Sequence, residues 1–434
     1  MSRPISRRRF VQTTAIATAG YWAAGGVQAD QSKSPNEKLQ FACIGIGGKG
    51  ASDANDAGHS GEVIAICDID DKRLQNSQKR FRNAKKFNDY RELLVELGDK
   101  IDAVTVSTPD HHHGPAAAMA MRLGKHCYCQ KPLTRTIFEA RTLGEIAKEK
   151  KVATQMGNQG TAEPGLRKAA AQIKAGMLGT VKEIHVWTNR PVWPQGGKRP
   201  EPSQAPAHIH WKPFIGPAPD RPYAAGYQPF VWRGWWDFGC GALGDMACHT
   251  MNMPFAALDL REPISAEAET SGHNKDSFPK WSKIRYEFAK TDHRPAVTLF
   301  WYDGGMKPDP KTVSDPSIFH AGSGCVIIGD KGYLFSPDDY GAQYKLFGGA
   351  KEIPVDFVRS PGHFAEWVQA IKGGKPAMSN FPDYAAPFTE MVLVGNLAVW
   401  LGKKVEWDAK NMKATNAPEL DFLIKPELHH GYKL

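Results

Sequence analysis

A chain of 434 residues exceeds what one compact core accommodates, so two domains are expected. Its 41% hydrophobic and 23% charged content is that of a soluble globular protein. The net charge of +9 includes four arginines before residue 30; beyond them 51 basic side chains face 46 acidic ones, too mild an excess to argue for a nucleic-acid partner, and no basic cluster interleaved with aromatics supports one.

Taken in order, Ser6-Arg7-Arg8-Arg9-Phe10-Val11 resembles a twin-arginine export signal. The weakly apolar run Thr13 to Val27 follows, with small residues before Asp30 for cleavage. Residues 1–29 therefore read as a signal peptide and 30–38 as a polar linker, which places the mature chain in the periplasm or another extracytoplasmic space. A membrane anchor is the alternative, but the run is short and rich in alanine and glycine. Such export carries proteins already folded, which suits a cofactor loaded in the cytoplasm.

From Leu39 strands alternate with helices. Phe41–Ile44 runs into Gly45-Ile46-Gly47-Gly48-Lys49-Gly50, a G-x-G-x-x-G turn whose glycines permit a tight bend, approach to a pyrophosphate and close helix packing. The helix behind it would point its positive end at phosphate. Val63–Cys67 ends at Asp68, 23 residues after Gly45, where a carboxylate would meet an adenosine ribose. A charged helix to about Phe81, a helical Tyr90–Leu97, the strand Ile101–Val106, a helix Gly114–Leu123, the strand His126–Gln130, a helix Thr136–Lys151 and the strand Val152–Met156 follow. This predicts an N-terminal Rossmann-type, doubly wound parallel sheet over 39–160, with ligand at the strands' carboxyl ends. Polar clusters stand at three of those ends: 107–113, 130–132 and 157–159.

Beyond residue 160 the texture changes. Val181–Trp187, Ile284–Phe288, Ala296–Tyr302, Cys325–Gly329 and Gly332–Phe335 read as strands of a large, mostly antiparallel open sheet, giving a C-terminal α/β domain over 161–434 for substrate binding and oligomerisation. Residues 190–236 form a loop rich in Pro, Gly, Trp and His, and loops that long are usually functional. Helices near His363–Lys372 and Ala386–Leu401 complete the chain. The seven cysteines show no metal-site spacing and read as buried hydrophobes, although export leaves one disulfide open.

Two groups could carry chemistry. Lys131, in Gln130-Lys131-Pro132, stands at a strand mouth. Asp245 and His249 are i and i+4 on a helix, so they share a face, as a base and its orienter would; an N-terminal acid and a buried core histidine are the plainer reading. His111-His112-His113 point in different directions and do not converge on an ion, and His208 with His210 is read the same way, so no metal is expected. The tryptophans of 187–236 are either core or sugar-stacking faces.

The glycine turn, Ser107-Thr108-Pro109-Asp110 with His113, Lys131-Pro132, Asp245 with His249, and Trp232–Phe238 together resemble the Gfo/Idh/MocA family of NAD(P)-dependent oxidoreductases, in an exported branch. The resemblance spans Leu39 to about Trp407. It implies proton transfer by Lys131 and His249, with Asp245 supporting His249. It implies cofactor contacts from Gly45, Gly47, Gly48, Lys49, Gly50, Asp68, Ser107, Thr108, Pro109, His113, Gln130, Lys131 and Asn158. Substrate contacts fall to Lys131, Arg233, Trp235, Trp236 and His249. The cofactor is NAD, because Asp68 would repel a 2′-phosphate, while Lys72 and Arg73 keep NADP open. The substrate is a secondary alcohol of a sugar, sugar derivative or cyclitol, and the assembly a homo-oligomer. Gln130 stands where the family usually has Glu. Alternative functions are NAD-dependent glycoside hydrolysis by transient oxidation, and a carbohydrate-binding relative without catalysis.

Overall fold

The computed structural model describes residues 38–434, so the expected signal peptide and all of the linker except Lys38 lie outside the described residues. Residues 39–434 pack as one unit built on two sheets.

The first sheet forms from β1 (Leu39–Ile44), α1 (Lys49–Ser60), β2 (Gly61–Cys67), α2 (Asp71–Gln78), β3 (Lys85–Phe87), α3 (Tyr90–Leu97), β4 (Ala103–Val106), α4 (Asp110–Arg122), β5 (His126–Cys129), α5 (Ile137–Lys150) and β6 (Thr154–Met156). Its order is β3-β2-β1-β4-β5-β6, every pairing parallel, which is the expected doubly wound arrangement. Sequence sets the ends of its helices. Asp70 caps α2 through the Lys72 amide, and Thr136 with Glu139 makes a reciprocal capping box at α5. Such caps satisfy amides that a helix start leaves without partners.

The second part adds α6 (Pro164–Lys174), β7 (Val181–Trp187), α7 (Trp211–Ile215), α8 (Gly241–Thr250), α9 (Asn252–Leu258), β8 (Ser265–Thr270), β9 (Ser282–Phe288), β10 (Val297–Tyr302), β11 (Gly324–Gly329), β12 (Gly332–Ser336), β13 (Lys345–Gly348), α10 (His363–Ile371), α11 (Ala386–Leu401), β14 (Val405–Asp408) and β15 (Lys413–Ala414). Nine strands run β13-β12-β11-β7-β10-β9-β8-β14-β15, antiparallel except for β10 on β7. Together with the turn before it, α11 is apolar and long enough to cross a membrane, yet 83% of its most apolar window is buried within the fold. Its Glu390 meets Arg141 of α5, and Asn396 donates to the Cys240 carbonyl (3.1 Å), so the helix ties the two sheets together. All seven cysteines are buried as free thiols.

Two expectations change. α4 begins at Asp110 rather than Gly114, carrying Pro115 inside it, because the three imidazoles of its first turns find main-chain partners elsewhere. And α10 packs on the first sheet: its Trp367 is fully buried against Phe41 of β1, Tyr128 of β5 and Phe364 of its own helix.

Candidate active site

The glycine turn between β1 and α1 is as tight as its spacing implies. Gly45 has φ +78°, and a Cβ there would stand 2.5 Å from the Ser107 carbonyl oxygen; one on Gly50 would stand 2.0 Å from the Gly45 carbonyl oxygen. At Gly48, also at positive φ, a Cβ would meet nothing within 4 Å, so this side of the turn is open. Over Gly47 lies the Arg73 guanidinium. Asp68 ends β2, its Oδ2 accepting from the Ile46 amide (3.0 Å) and its Oδ1 from the Asp70 amide (3.1 Å). Burial raises its pKa against the pull of Arg73 and these two amides.

Beneath the turn, three side chains meet on the fully buried Asp53 of α1. Lys49 donates to Oδ1 (2.6 Å), while Ser107 Oγ (2.7 Å) and Gln130 Nε2 (2.8 Å) donate to Oδ2. Asp53 escaped the sequence reading because one acid on a helix carries no signal until its neighbours are known. His113 is buried, spanning the Pro132 (2.8 Å) and Thr108 (2.9 Å) carbonyls, so it holds the loops rather than lining the cleft. Thr108 Oγ1 and Asn158 Nδ2 are buried without hydrogen-bond partners among the described residues, and Asn158 is held through Oδ1 by Ser379 (2.6 Å). Orphaned donors and acceptors around an open glycine turn are what a dinucleotide with its polar ribose and amide groups would satisfy.

At the mouth of β5, Lys131 Nζ donates to the Asp245 carbonyl (2.7 Å) and to its Oδ1 (2.8 Å). Arg233 Nε donates to the same oxygen (3.0 Å). Burial alone would raise the Asp245 carboxyl, but Lys131 and Arg233 hold it well below the usual carboxylate range. The expected Asp245–His249 partnership is therefore corrected: helical spacing places both on one face, but two cations take the carboxylate. Neither ring nitrogen of His249 has a hydrogen-bond partner among the described residues, and Nδ1 is buried. Burial, with the charge of Lys131, pushes its pKa down to about 3, so the imidazole is neutral. The Tyr340 ring meets it edge-on at 5.0 Å, a contact no motif announced.

Arg233 lies over the rings of Trp232 (4.2 Å) and Phe230 (4.6 Å), both of the same long loop. Trp235 and Trp236, expected at the substrate, are elsewhere. Trp235 is buried with Tyr227 and donates to the Gly226 carbonyl; Trp236 stacks on Phe278 at 3.6 Å. Trp235 is spent on the loop's own core, and Trp236 on the main core, where it also meets Trp400 edge-on at 5.0 Å. The three histidines are likewise spent: His111 and His112 both reach the Phe214 carbonyl (2.8 and 2.9 Å). Among the described residues no group of three His, Cys, Asp or Glu side chains could hold a metal.

Family models match residues 39–158, as an oxidoreductase family NAD-binding Rossmann fold, and residues 166–293, as the C-terminal alpha/beta domain of an oxidoreductase family. The chain belongs to the Gfo/Idh/MocA oxidoreductase family. It is 26% identical over 311 residues to an uncharacterized oxidoreductase of Synechocystis, covering 71% of this chain and 73% of that protein. Levoglucosan dehydrogenase of Pseudarthrobacter phenanthrenivorans is 23% identical over 188 residues, 43% of this chain and 40% of the relative. Inositol 2-dehydrogenase of Salmonella typhimurium is 28% identical over 126 residues, 29% of this chain and 37% of the relative. The last two matches thus span less than half of either relative. The WlbA dehydrogenase of Chromobacterium violaceum, solved with NADH and UDP-GlcNAcA, superposes with a TM-score of 0.62 at 16% identity, covering 86% of this chain and 97% of that one. Such a likeness speaks for the fold. Gln130, whose amide carries no charge, donates to the carboxylate of Asp53, so a negative charge stands one hydrogen bond from position 130.

Proposed function

We propose that this chain is an NAD-dependent oxidoreductase acting on a secondary hydroxyl of a sugar, sugar derivative or cyclitol. The observation that carries the reading is a neutral His249, without a hydrogen-bond partner among the described residues, close enough to feel the charge of a Lys131 that Asp245 fixes. When bound, the dinucleotide accepts the hydride from the carbinol carbon. Lys131, with two of its three donors engaged, has one left to orient the substrate hydroxyl. His249 has a free lone pair to take the hydroxyl proton. Asp245, held ionised, fixes Lys131 and Arg233 and offsets their charge. The relatives' names, levoglucosan and inositol dehydrogenase, favour a polyhydroxylated ring.

Asp68 at the ribose position favours NAD, and Arg73 shares its charge between Asp68 (3.9 Å) and Asp70 (3.7 Å). Titration of the purified protein with both cofactors tests this; a tenfold preference for NADP would overturn it. Hydride transfer is tested by following NADH formation with a panel of sugars and cyclitols, and no turnover with any of them would point to the non-catalytic, carbohydrate-binding relative. We also place the mature chain outside the cytoplasm as a homo-oligomer, on the twin-arginine pattern and the open sheet; fractionation and light scattering check both.

A second reading has an observation of its own. The adenosine side of the crevice is walled by Phe214 and Tyr432 as well as by the Rossmann loops, which suits a cofactor that stays through turnover. In that case the sugar hydroxyl is oxidised to a ketone, the aglycone leaves by elimination as its alcohol, water adds across the resulting double bond, and the ketone is reduced again by the same hydride. Glycoside cleavage without added cofactor and without NADH build-up would favour it over net oxidation.

A further inference from the structure

The crevice beside Asp68 is completed from two places outside the Rossmann unit. One is the strap 208–216, which contains α7. The His210 amide donates to the Ile69 carbonyl (2.8 Å) and the Asp71 amide to the His208 carbonyl (3.0 Å), while His210 Nε2 meets Asp71 Oδ1 at 3.0 Å. The strap is thereby stitched to the loop that follows the ribose-binding acid. At its other end the Phe214 carbonyl takes both His111 and His112, which fastens the strap to the start of α4.

The second is the segment 425–434, beyond both ranges matched by the family models. The His429 amide donates to the Pro217 carbonyl (3.1 Å), hooking the segment onto the end of the strap. Arg91 of α3 holds it from the other side: its Nη1 donates to the His430 carbonyl (3.3 Å), and its guanidinium lies 4.0 Å over the Tyr432 ring. Asp89 anchors that arginine through Nε. Tyr432 also meets Tyr90 and His112 edge-on, each at 6.0 Å, and is only 7% exposed. Pro213, Phe214 and Tyr432 line the same crevice as Gly45, Asp68 and Thr108.

We propose that the strap and the 425–434 segment form a clasp over the adenosine half of the dinucleotide, with Phe214 and Tyr432 as its adenosine-pocket residues, so that the cofactor is a retained group. This rests on the assignment of the crevice to NAD above. An apolar and aromatic wall suits a purine ring, which stacks on such surfaces. A ligand enclosed there leaves only after the clasp opens, and opening separates the segment from Arg91, Pro217 and Tyr90 together. Affinity changes of this kind fall mainly on the dissociation rate.

The experiment uses the full chain loaded with NADH. Release is followed by loss of cofactor fluorescence during a chase with excess unlabelled NAD, in the wild type, in Tyr432→Ala and in a variant lacking residues 429–434. Wild-type protein should carry dinucleotide through gel filtration, and both variants should release it at least tenfold faster at a temperature where circular dichroism shows all three proteins folded. Limited proteolysis should cut the 425–434 segment more slowly when dinucleotide is bound. Release from the wild type at the rate of Tyr432→Ala, or proteolysis unaffected by dinucleotide, would overturn the clasp. Calorimetry separates this from failure of the cofactor reading itself: a chain that binds no NAD or NADP refutes the assignment, whereas one that binds and exchanges freely refutes only the clasp.

Discussion

Gln130 donates a single hydrogen bond to Asp53, and its consequences can be measured. Glu at 130 would set two buried carboxyl groups at the 2.8 Å separation the amide now spans, so one would have to take up a proton or lose its partner. Gln130→Glu should therefore destabilise the fold by about 1–3 kcal/mol, the cost of a buried polar group left unsatisfied, without raising the rate of hydride transfer. Asp53→Asn with Gln130→Glu moves the charge to the other side of the same bond and should recover most of that loss in urea unfolding. No recovery would mean that Asp53 matters for something other than this pair. The ion pairs of Asp245 support a second prediction. Lys131→Ala should cost on the order of 10²–10³-fold in single-turnover hydride transfer, the range for losing one positioned donor to the reacting oxygen. Adding Asp245→Asn to Lys131→Ala should cost little more, because residues that act as a unit are not additive. His249→Ala should instead combine nearly multiplicatively with Asp245→Asn, since the two share no hydrogen bond. Strong non-additivity of that last pair would restore the base-and-orienter partnership.

Trp367 shows how an element can be legible while its place is not. Its helix, α10, was readable near His363–Lys372, yet nothing local says that the chain returns there to cover the first sheet. The indole donates to the Ala153 carbonyl (3.0 Å) and packs against β1 and β5 residues some 240–330 positions earlier. Trp367→Ala should cost about 3–5 kcal/mol, read by urea denaturation, because a large cavity opens under a rigid sheet. The parallel sheet was legible in five of its six strands, as buried strands alternating with helices have no other economical arrangement; edge strand β3, Lys85–Phe87, was not, because two exposed lysines and one phenylalanine carry no strand pattern. β8 was not: Ser265–Thr270 is built of Ser, Ala, Glu and Thr, and only pairing with β9 makes those residues a strand. At the site, Lys131, Asp245 and His249 were legible as a set, but their pairing was not. Arg233 comes from a loop, and which carboxylate it meets is decided by tertiary packing. The indoles of Trp235 and Trp236 failed for the opposite reason: a long loop needs a core of its own, which takes Trp235, and an anchor on the rest of the fold, which takes Trp236, before it can offer faces to a ligand.

Across the whole molecule, burial of imidazoles sets the response to acid. His112, His113 and His363 are each pushed down to about 4, and His249 to about 3, chiefly by burial, while His111 lies well below its ordinary value of 6.5. As pH falls from 7 to 5 the unfolded chain takes up these protons and the folded chain does not, so stability drops over that window. Carboxyls raised by burial oppose the trend: Asp110 is raised to about 7 and Asp303 to about 6, and Asp68, Glu139 and the half-buried Asp56 are raised as well, so the folded state binds protons there that the unfolded chain takes up only near 4. The five imidazoles, joined by His185 and His273, outnumber these carboxyls and leave a net loss on acidification, about 1.4 kcal/mol per pH unit for each uncompensated proton. Below pH 5, Asp245 adds to it. Its carboxyl is depressed by Lys131 and Arg233, so the stability it contributes is present above about pH 4 and is lost as pH falls further. Urea midpoints at pH 7 and pH 5 should therefore differ clearly in favour of pH 7. His363→Gln, which removes one of the five while keeping a side chain that can still donate to the Met156 carbonyl, should make the slope shallower. A midpoint that holds or rises between pH 7 and 5 would mean that these imidazoles are protonated in the folded protein, which would also remove the neutral His249 on which the proposed proton transfer depends.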